Sequence, residues 1–216
     1  MSYPGLFIAL EGVDGSGKST QAQLMANWLA GNQSCNVVLT REPGGTDLGA
    51  NLRQLIQHGE DMDPRTEALL YAADRAHHVN TLVLPALQRG DIVVTDRYFD
   101  SSVAYQSAGR QLPADQIEQI SLWATAGLLP DITILIDIDP EIARTRQVGE
   151  PDRIEKAGIE FQQRVRAGYL SRVQDDPVRW LVVSGVGTPD EVFAAAIGAL
   201  EPRLDQWRNR PTEENQ

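Results

Sequence analysis

Eight residues, Gly12-Val13-Asp14-Gly15-Ser16-Gly17-Lys18-Ser19, constrain this chain more than any others in it. An apolar run, Leu6–Leu10, precedes them. The stretch that follows, Lys18–Ala30, has apolar residues at Ala22, Met25, Ala26 and Leu29, the spacing of one helix face. Strand, glycine-rich turn and helix in that order build an anion cradle. The glycines let backbone N–H groups turn inward, the helix presents its positive end, and G-x-x-x-x-G-K-[ST] places a lysine and a hydroxyl beside bound phosphates. Gly12 through Thr20 is therefore the expected phosphate loop of a nucleoside triphosphate, with Lys18 on the terminal phosphates and Ser19 a ligand for Mg²⁺. A glycine-rich turn with a chance lysine would not need the strand and helix on either side.

The 216-residue chain fits one α/β domain around that loop. Apolar runs at Asn36–Thr40, Asp91–Thr95, Ile132–Ile138 and Trp180–Ser184 are nearly continuous, as in strands buried on both faces. Helical patterns alternate with them: Pro64–Arg89, which Pro85 is expected to kink or end, then Pro113–Ala126, Pro140–Gln147, Glu155–Val173 and Pro189–Trp207. Asp63-Pro64, Asp139-Pro140 and Thr188-Pro189 each put a capping side chain before a first-turn proline. The alternation implies a mostly parallel sheet with helices on both faces. The expected organisation is one domain over 1–208, a lid at 144–155, and a polar tail at 209–216.

Composition narrows the partners. A net charge of −11 argues against a broad nucleic-acid surface. No apolar run approaches the ~18 residues of a membrane span. The N-terminal MSYPGLFIALEG lacks the basic n-region of a signal peptide, and Cys35 is the sole cysteine, so a cytoplasmic location is expected.

The question left by the loop is where the phosphate goes. Asp14 would repel bound phosphates, so it is expected to face a second ligand or a metal-bound water, unless it is merely solvated. Asp91–Tyr98 (DIVVTDRY) ends in Asp96, placed to help hold Mg²⁺, and Arg97, able to fork onto a phosphate; ordinary ion pairing explains the pair equally well. Arg41 before the Pro-Gly-Gly turn and Arg53 on the next helix are further anion ligands or else solvated arginines. With Arg97 they would make a second phosphate site, which a pure NTPase does not need. Tyr71 and Arg75 share a helix face and suit a planar base, although spacing alone favours a core tyrosine beside a surface arginine. His77 and His78 lack metal-ligand spacing and read as helix-surface residues. Ser102, Tyr105 and Gln106 suit a base or sugar, or an ordinary helix start. Arg144, Arg146 and Arg153 straddle Gly149–Arg153, where cations on a flap would clamp a transferring phosphoryl group; a solvated basic face is the alternative.

EGVDGSGKST, TREPGGT, YAADRAHH, DRYFDSSVAYQ and DRIEKAGIEFQQRVRAGY, in this order, resemble the motifs of bacterial thymidylate kinases over residues 6–200. The resemblance implies a P-loop NTPase-like three-layer sandwich with a five-stranded parallel sheet, a homodimer, and Mg²⁺-dependent transfer of the ATP γ-phosphate to dTMP. It implies that Arg97 holds the acceptor phosphate with Asp96 near the metal. It places Asp14 at the sugar 3′-hydroxyl or the metal shell, Tyr71 on thymine and Arg75 at a base carbonyl. Ser102 and Gln106 fall toward base and sugar, and Tyr105 crowds a ribose 2′-hydroxyl. Glu42 and Arg53 match positions near the acceptor phosphate. The loop carries no arginine, so the chain resembles the lid-arginine type, with Arg153 the best match and Arg146 next. Two rival readings remain. One is a kinase for another small acceptor. The other is an NTP-dependent switch, which the absence of any Asn-Lys pair for an N-K-x-D stretch disfavours.

Overall fold

The computed structural model describes residues 3–147 and 149–210; Val148 of the expected lid and 211–216 of the expected tail lie outside them. Strands β1 (Leu6–Glu11), β2 (Val37–Arg41), β3 (Ile92–Asp96), β4 (Ile132–Asp137) and β5 (Trp180–Ser184) form one parallel sheet in the order β2-β3-β1-β4-β5. β1 is central. The chain leaves it for β2 and β3 on one side, then crosses to β4 and β5 on the other. Such a reversal opens a crevice at the carboxyl ends of the strands.

The helices are α1 (Lys18–Asn32), α2 (Asp47–His58), α3 (Pro64–His78), α4 (Leu84–Gln88), α5 (Phe99–Ser102), α6 (Ala114–Ala124), α7 (Pro140–Thr145), α8 (Ile159–Asp175) and α9 (Pro189–Arg208). Alternation along β1 shows how they layer. Leu6, Ile8 and Leu10 pack with Met25 and Leu29 of α1 and Leu200 and Leu204 of α9. Phe7 and Ala9 turn the other way, toward Ala68 of α3, Leu87 of α4 and Phe99 of α5. Among the described residues no helix is long and apolar enough to cross a membrane.

All three expected caps form: Asp63 accepts from Arg65 N–H at 2.8 Å, Asp139 from Glu141 N–H at 2.9 Å, and Thr188 makes a reciprocal capping box with Glu191. Three expectations need correction. Burial on both faces holds for β1, β3 and β4 but not for the edge strands β2 and β5, where Leu39 and Val182 are exposed. Pro85 does not end its helix: the chain widens into a π-helical stretch at Val79–Val83 and re-enters an α-helix whose first turn tolerates the missing N–H. The segment from Glu155 is not one helix, since Gly158 at φ 87° separates a 3₁₀ turn, Glu155–Ala157, from α8.

Candidate active site

Parallel register sets Leu10 beside Asp96, so the glycine loop after β1 and Asp96-Arg97 at the end of β3 emerge at the same sheet edge. Gly12, at φ 150°, could not carry a side chain: a Cβ would lie 2.8 Å from the Ile136 carbonyl oxygen. Gly17 begins α1 with no side-chain cap, and the first turn holds no acid, leaving backbone N–H groups for an anion. Lys18 is buried; its Nζ donates to the Val13 carbonyl at 3.3 Å and lies 3.8 Å from Asp14. Burial and then Arg97 lower its pKa, with Asp14 and Asp96 opposing.

Ser19 Oγ donates to Asp96 Oδ2, and the buried Asp96 Oδ1 has no hydrogen-bond partner. A hydroxyl and an orphaned carboxylate oxygen form a hard oxygen pair that fits Mg²⁺, which typically takes one or two protein ligands and fills the rest with phosphates and water. Among the described residues no group of three or more His, Cys, Asp or Glu is arranged to hold a metal ion by itself.

Arg97 sits at φ 71°, a conformation unfavourable for a bulky residue. Its N–H donates to the Leu10 carbonyl at 2.9 Å, and Thr95 Oγ1 donates to its carbonyl at 2.9 Å, which holds it there. The guanidinium reaches Asp14 Oδ1 at 2.5 Å, the Tyr105 hydroxyl at 2.8 Å, and Ser101 Oγ and the Tyr169 hydroxyl at 3.1 Å. Burial opposes its charge, but the fields of Tyr105 and Asp14 outweigh that and raise its pKa well above the usual value. Asp14 also accepts from Tyr105 at 2.9 Å and Gln162 at 3.0 Å. Burial works against the Asp14 carboxylate, yet Arg97 and then Lys18 hold its pKa at about 2. It stays ionised across the physiological range, as a hydrogen-bond acceptor rather than a proton carrier.

A cavity of about 340 Å³ opens beside this network. Arg41, Arg53 and Arg97 line it, as the second-phosphate expectation requires. Tyr71, Arg75, Ser102, Tyr105 and Gln106 line it as well, so the predicted base- and sugar-facing residues share one space. The spacing-based preference for a core tyrosine and surface arginine is reversed. Tyr71 is partly exposed, while Arg75 is buried, its Nε donating to Glu42 Oε2 at 2.7 Å and Nη2 to the Tyr98 carbonyl at 3.3 Å. Glu42 is buried too, and Gln106 Nε2 is committed to Glu67 at 2.9 Å. His78, expected at the surface, is fully buried between Glu42 and Thr40; the buried carboxylate draws it in.

A second cavity, about 420 Å³, lies across the loop and is lined by Gly15 through Gln21, Arg146 and Gly187. The two cavities share Gly15, Lys18 and Ser19. The arginines of the expected lid divide between them. Arg146 stands at the second cavity and donates to the Gly185 carbonyl at 2.9 Å. Arg153, the residue expected to act on the transferring phosphate, faces elsewhere: it pairs with Glu67 at 2.8 Å and its Nε donates to the Ile56 carbonyl at 2.8 Å. Its backbone N–H docks on the Gln57 carbonyl at 3.0 Å, bringing Asp152, Ile154 and Glu155 over the first cavity.

Sequence reasoning missed Glu11, Glu67, Gln162 and Tyr169. An acid ending an otherwise apolar strand was a signal for Glu11. Gln162 and Tyr169 are two turns apart on α8 and share a face, which their spacing allowed but did not single out. Glu67 had no local signal, because the arginines that it anchors, Arg110 and Arg153, lie far along the chain.

A thymidylate kinase family profile matches residues 10–195. The chain is 54% identical over 206 residues to the thymidylate kinase of Leifsonia xyli subsp. xyli, covering 93% of this chain and 97% of the relative. It is 53% identical over 199 residues to that of Clavibacter sepedonicus, covering 90% and 93%. The crystal structure of thymidylate kinase from Ehrlichia chaffeensis superposes with a TM-score of 0.78 at 33% identity, covering 91% of this chain and 98% of that one. The loop, the paired cavities and these matches agree: the chain belongs to the thymidylate kinase family.

Proposed function

We propose that this chain transfers the γ-phosphate of ATP to dTMP, yielding ADP and dTDP, and that the two cavities are its donor and acceptor sites. The observation that carries this reading is their junction at Gly15, Lys18 and Ser19. ATP bound on the loop would present its γ-phosphate to a neighbour in the first cavity, at a fixed distance and orientation.

In this reading an oxygen of the dTMP phosphate attacks the γ-phosphorus while the bond to the β–γ bridging oxygen breaks and ADP leaves. The attacking oxygen is already anionic near neutral pH, since a phosphate monoester's second pKa is about 6. No general base is needed, which agrees with an Asp14 pKa of about 2. Arg41, Arg53 and Arg97 neutralise and aim the acceptor phosphate. Tyr71 stacks on the base and Arg75 hydrogen-bonds it, with Ser102 and Gln106 alongside. Asp14 and Tyr105 bound the sugar. Gly12 through Thr20 hold the donor phosphates, and Lys18 follows the charge during transfer. Ser19 and Asp96 would hold Mg²⁺, which supplies charge neutralisation on the phosphates. Of the lid arginines, Arg146 stands nearest the donor phosphates, while Arg153 fastens the lid to α2 and Glu67.

Leu69 on α3 and Trp123 on α6 are 55% and 81% exposed, large apolar side chains of the kind that a homodimer interface would cover. A cytoplasmic location accords with Cys35 as a free thiol.

Arg97→Ala tests the acceptor assignment. Losing a charged phosphate ligand should raise the KM for dTMP at least about ten-fold while the KM for ATP holds. An unchanged dTMP KM and kcat would refute it.

A further inference from the structure

Glu42 is one residue past β2 and lines the acceptor cavity together with its neighbours Arg41 and Pro43. Its backbone N–H donates to the Asp96 carbonyl at 2.9 Å, extending the sheet register. Glu42 thus belongs to the wall of a cavity whose cations have to be available to a phosphate. Turned further into that cavity, its carboxylate would pair with Arg41 or Arg53 and repel an incoming anion.

Two groups prevent this. Arg75 Nε donates to Oε2 at 2.7 Å, and His78 Nδ1 donates to Oε1 at 2.8 Å. A carboxylate only accepts, so Nδ1 carries a hydrogen. On the far side, Nε2 lies 2.7 Å from Thr40 Oγ1, which fixes the ring plane. The turn is pressed onto this ring: a Cβ on Gly45 would lie 2.7 Å from His78 Nε2 and 2.6 Å from Thr40 Oγ1. The same turn steers Arg53, whose Nη1 donates to the Pro43 carbonyl at 3.0 Å.

We infer that His78 is a positioning residue for the acceptor site: it locks Glu42 onto Arg75 and away from the phosphate-binding arginines. The inference rests on reading the first cavity as the acceptor site. His78 touches no substrate in it and acts through Glu42.

Steady-state kinetics in both substrates, with thermal stability, test this on His78→Ala, His78→Asn and His78→Gln. Asparagine places an amide near the position of Nδ1 and can donate to Glu42, whereas glutamine reaches toward Thr40. His78→Ala should raise the dTMP KM about ten-fold and leave the ATP KM within about two-fold. His78→Asn should recover most of the dTMP KM and His78→Gln should not. If His78→Ala does not fold, the Asn–Gln contrast in dTMP KM decides alone. An unchanged dTMP KM, both KM values rising together, or equal behaviour of Asn and Gln would overturn the inference. Arg97→Ala in parallel separates the two failures. If it raises the dTMP KM while His78→Ala does not, only the positioning role is lost. If neither does, the acceptor assignment falls with it.

Discussion

Replacing Glu11 by glutamine should change how stability depends on pH, by an amount that the structure sets. Glu11 ends β1 with no exposed surface. Tyr98 N–H and Ser101 N–H donate to Oε1 at 2.9 and 3.2 Å; Ser101 Oγ and the Tyr169 hydroxyl donate to Oε2 at 2.5 and 2.8 Å. Burial, and then Asp100, nevertheless push its pKa from 4.5 up to about 7, against Arg97 and the hydroxyl donors. The folded protein thus binds this proton more tightly than the unfolded chain. Its contribution is fully present below pH 4.5 and is lost as pH rises through about 7. At about 1.4 kcal/mol per pH unit the loss is about 3 kcal/mol. Glutamine has nearly the same shape and does not titrate. Its carbonyl keeps the two backbone donors, and its amide can donate to the oxygens of Ser101 and Tyr169. Urea unfolding of both proteins from about pH 4.5 to 8 gives the difference directly, and groups common to both, such as Asp74 raised to about 6, cancel. The difference should move in favour of Glu11→Gln by about 3 kcal/mol over that range. A difference that is flat in pH would refute the reasoning. One that moves toward the wild type would mean that Arg97 and the four donors outweigh the burial of the charge.

Two further substitutions probe the donor side. Lys18→Ala should lower kcat by about two or more orders of magnitude in a chain that still unfolds cooperatively, and near-normal turnover would remove Lys18 from the phosphate loop's chemistry. Arg146→Ala should slow single-turnover phosphoryl transfer more than it weakens ATP binding, by about ten-fold or more. Arg153→Ala should instead loosen the lid and leave Glu67 short of a partner; equal slowing of transfer by both would return Arg153 to the phosphates.

Local signals carried the architecture. Continuous apolar runs, Asp-Pro and Thr-Pro starts and the glycine loop each act within a few residues, so β1, α1 and the capped starts of α3, α7 and α9 stand where the sequence put them. What the sequence could not show depends on charges meeting across the fold. Arg75 and His78 look like surface residues until Glu42, more than thirty positions away, is seen buried between them. Arg153 matches its motif position, yet Glu67 and the Ile56 carbonyl claim its guanidinium, and those contacts exist only once the segment around Arg153 packs on α2. The lining of the first cavity was legible as a set of residues because β1 and β3 must deliver their loops to one edge of a parallel sheet. Which of those side chains stay available to a ligand was not, since that depends on which carboxylates have already taken them.

The most direct measurement is ADP formation from ATP and Mg²⁺ in the presence of dTMP, dUMP, dCMP, dGMP, AMP, UMP or thymidine, and with no acceptor. Little ADP should form without acceptor, and dTMP should stimulate its formation strongly. Thymidine should fail because it brings no phosphate for Arg41, Arg53 and Arg97. ADP release that ignores every acceptor would send the phosphate to water and contradict the acceptor site.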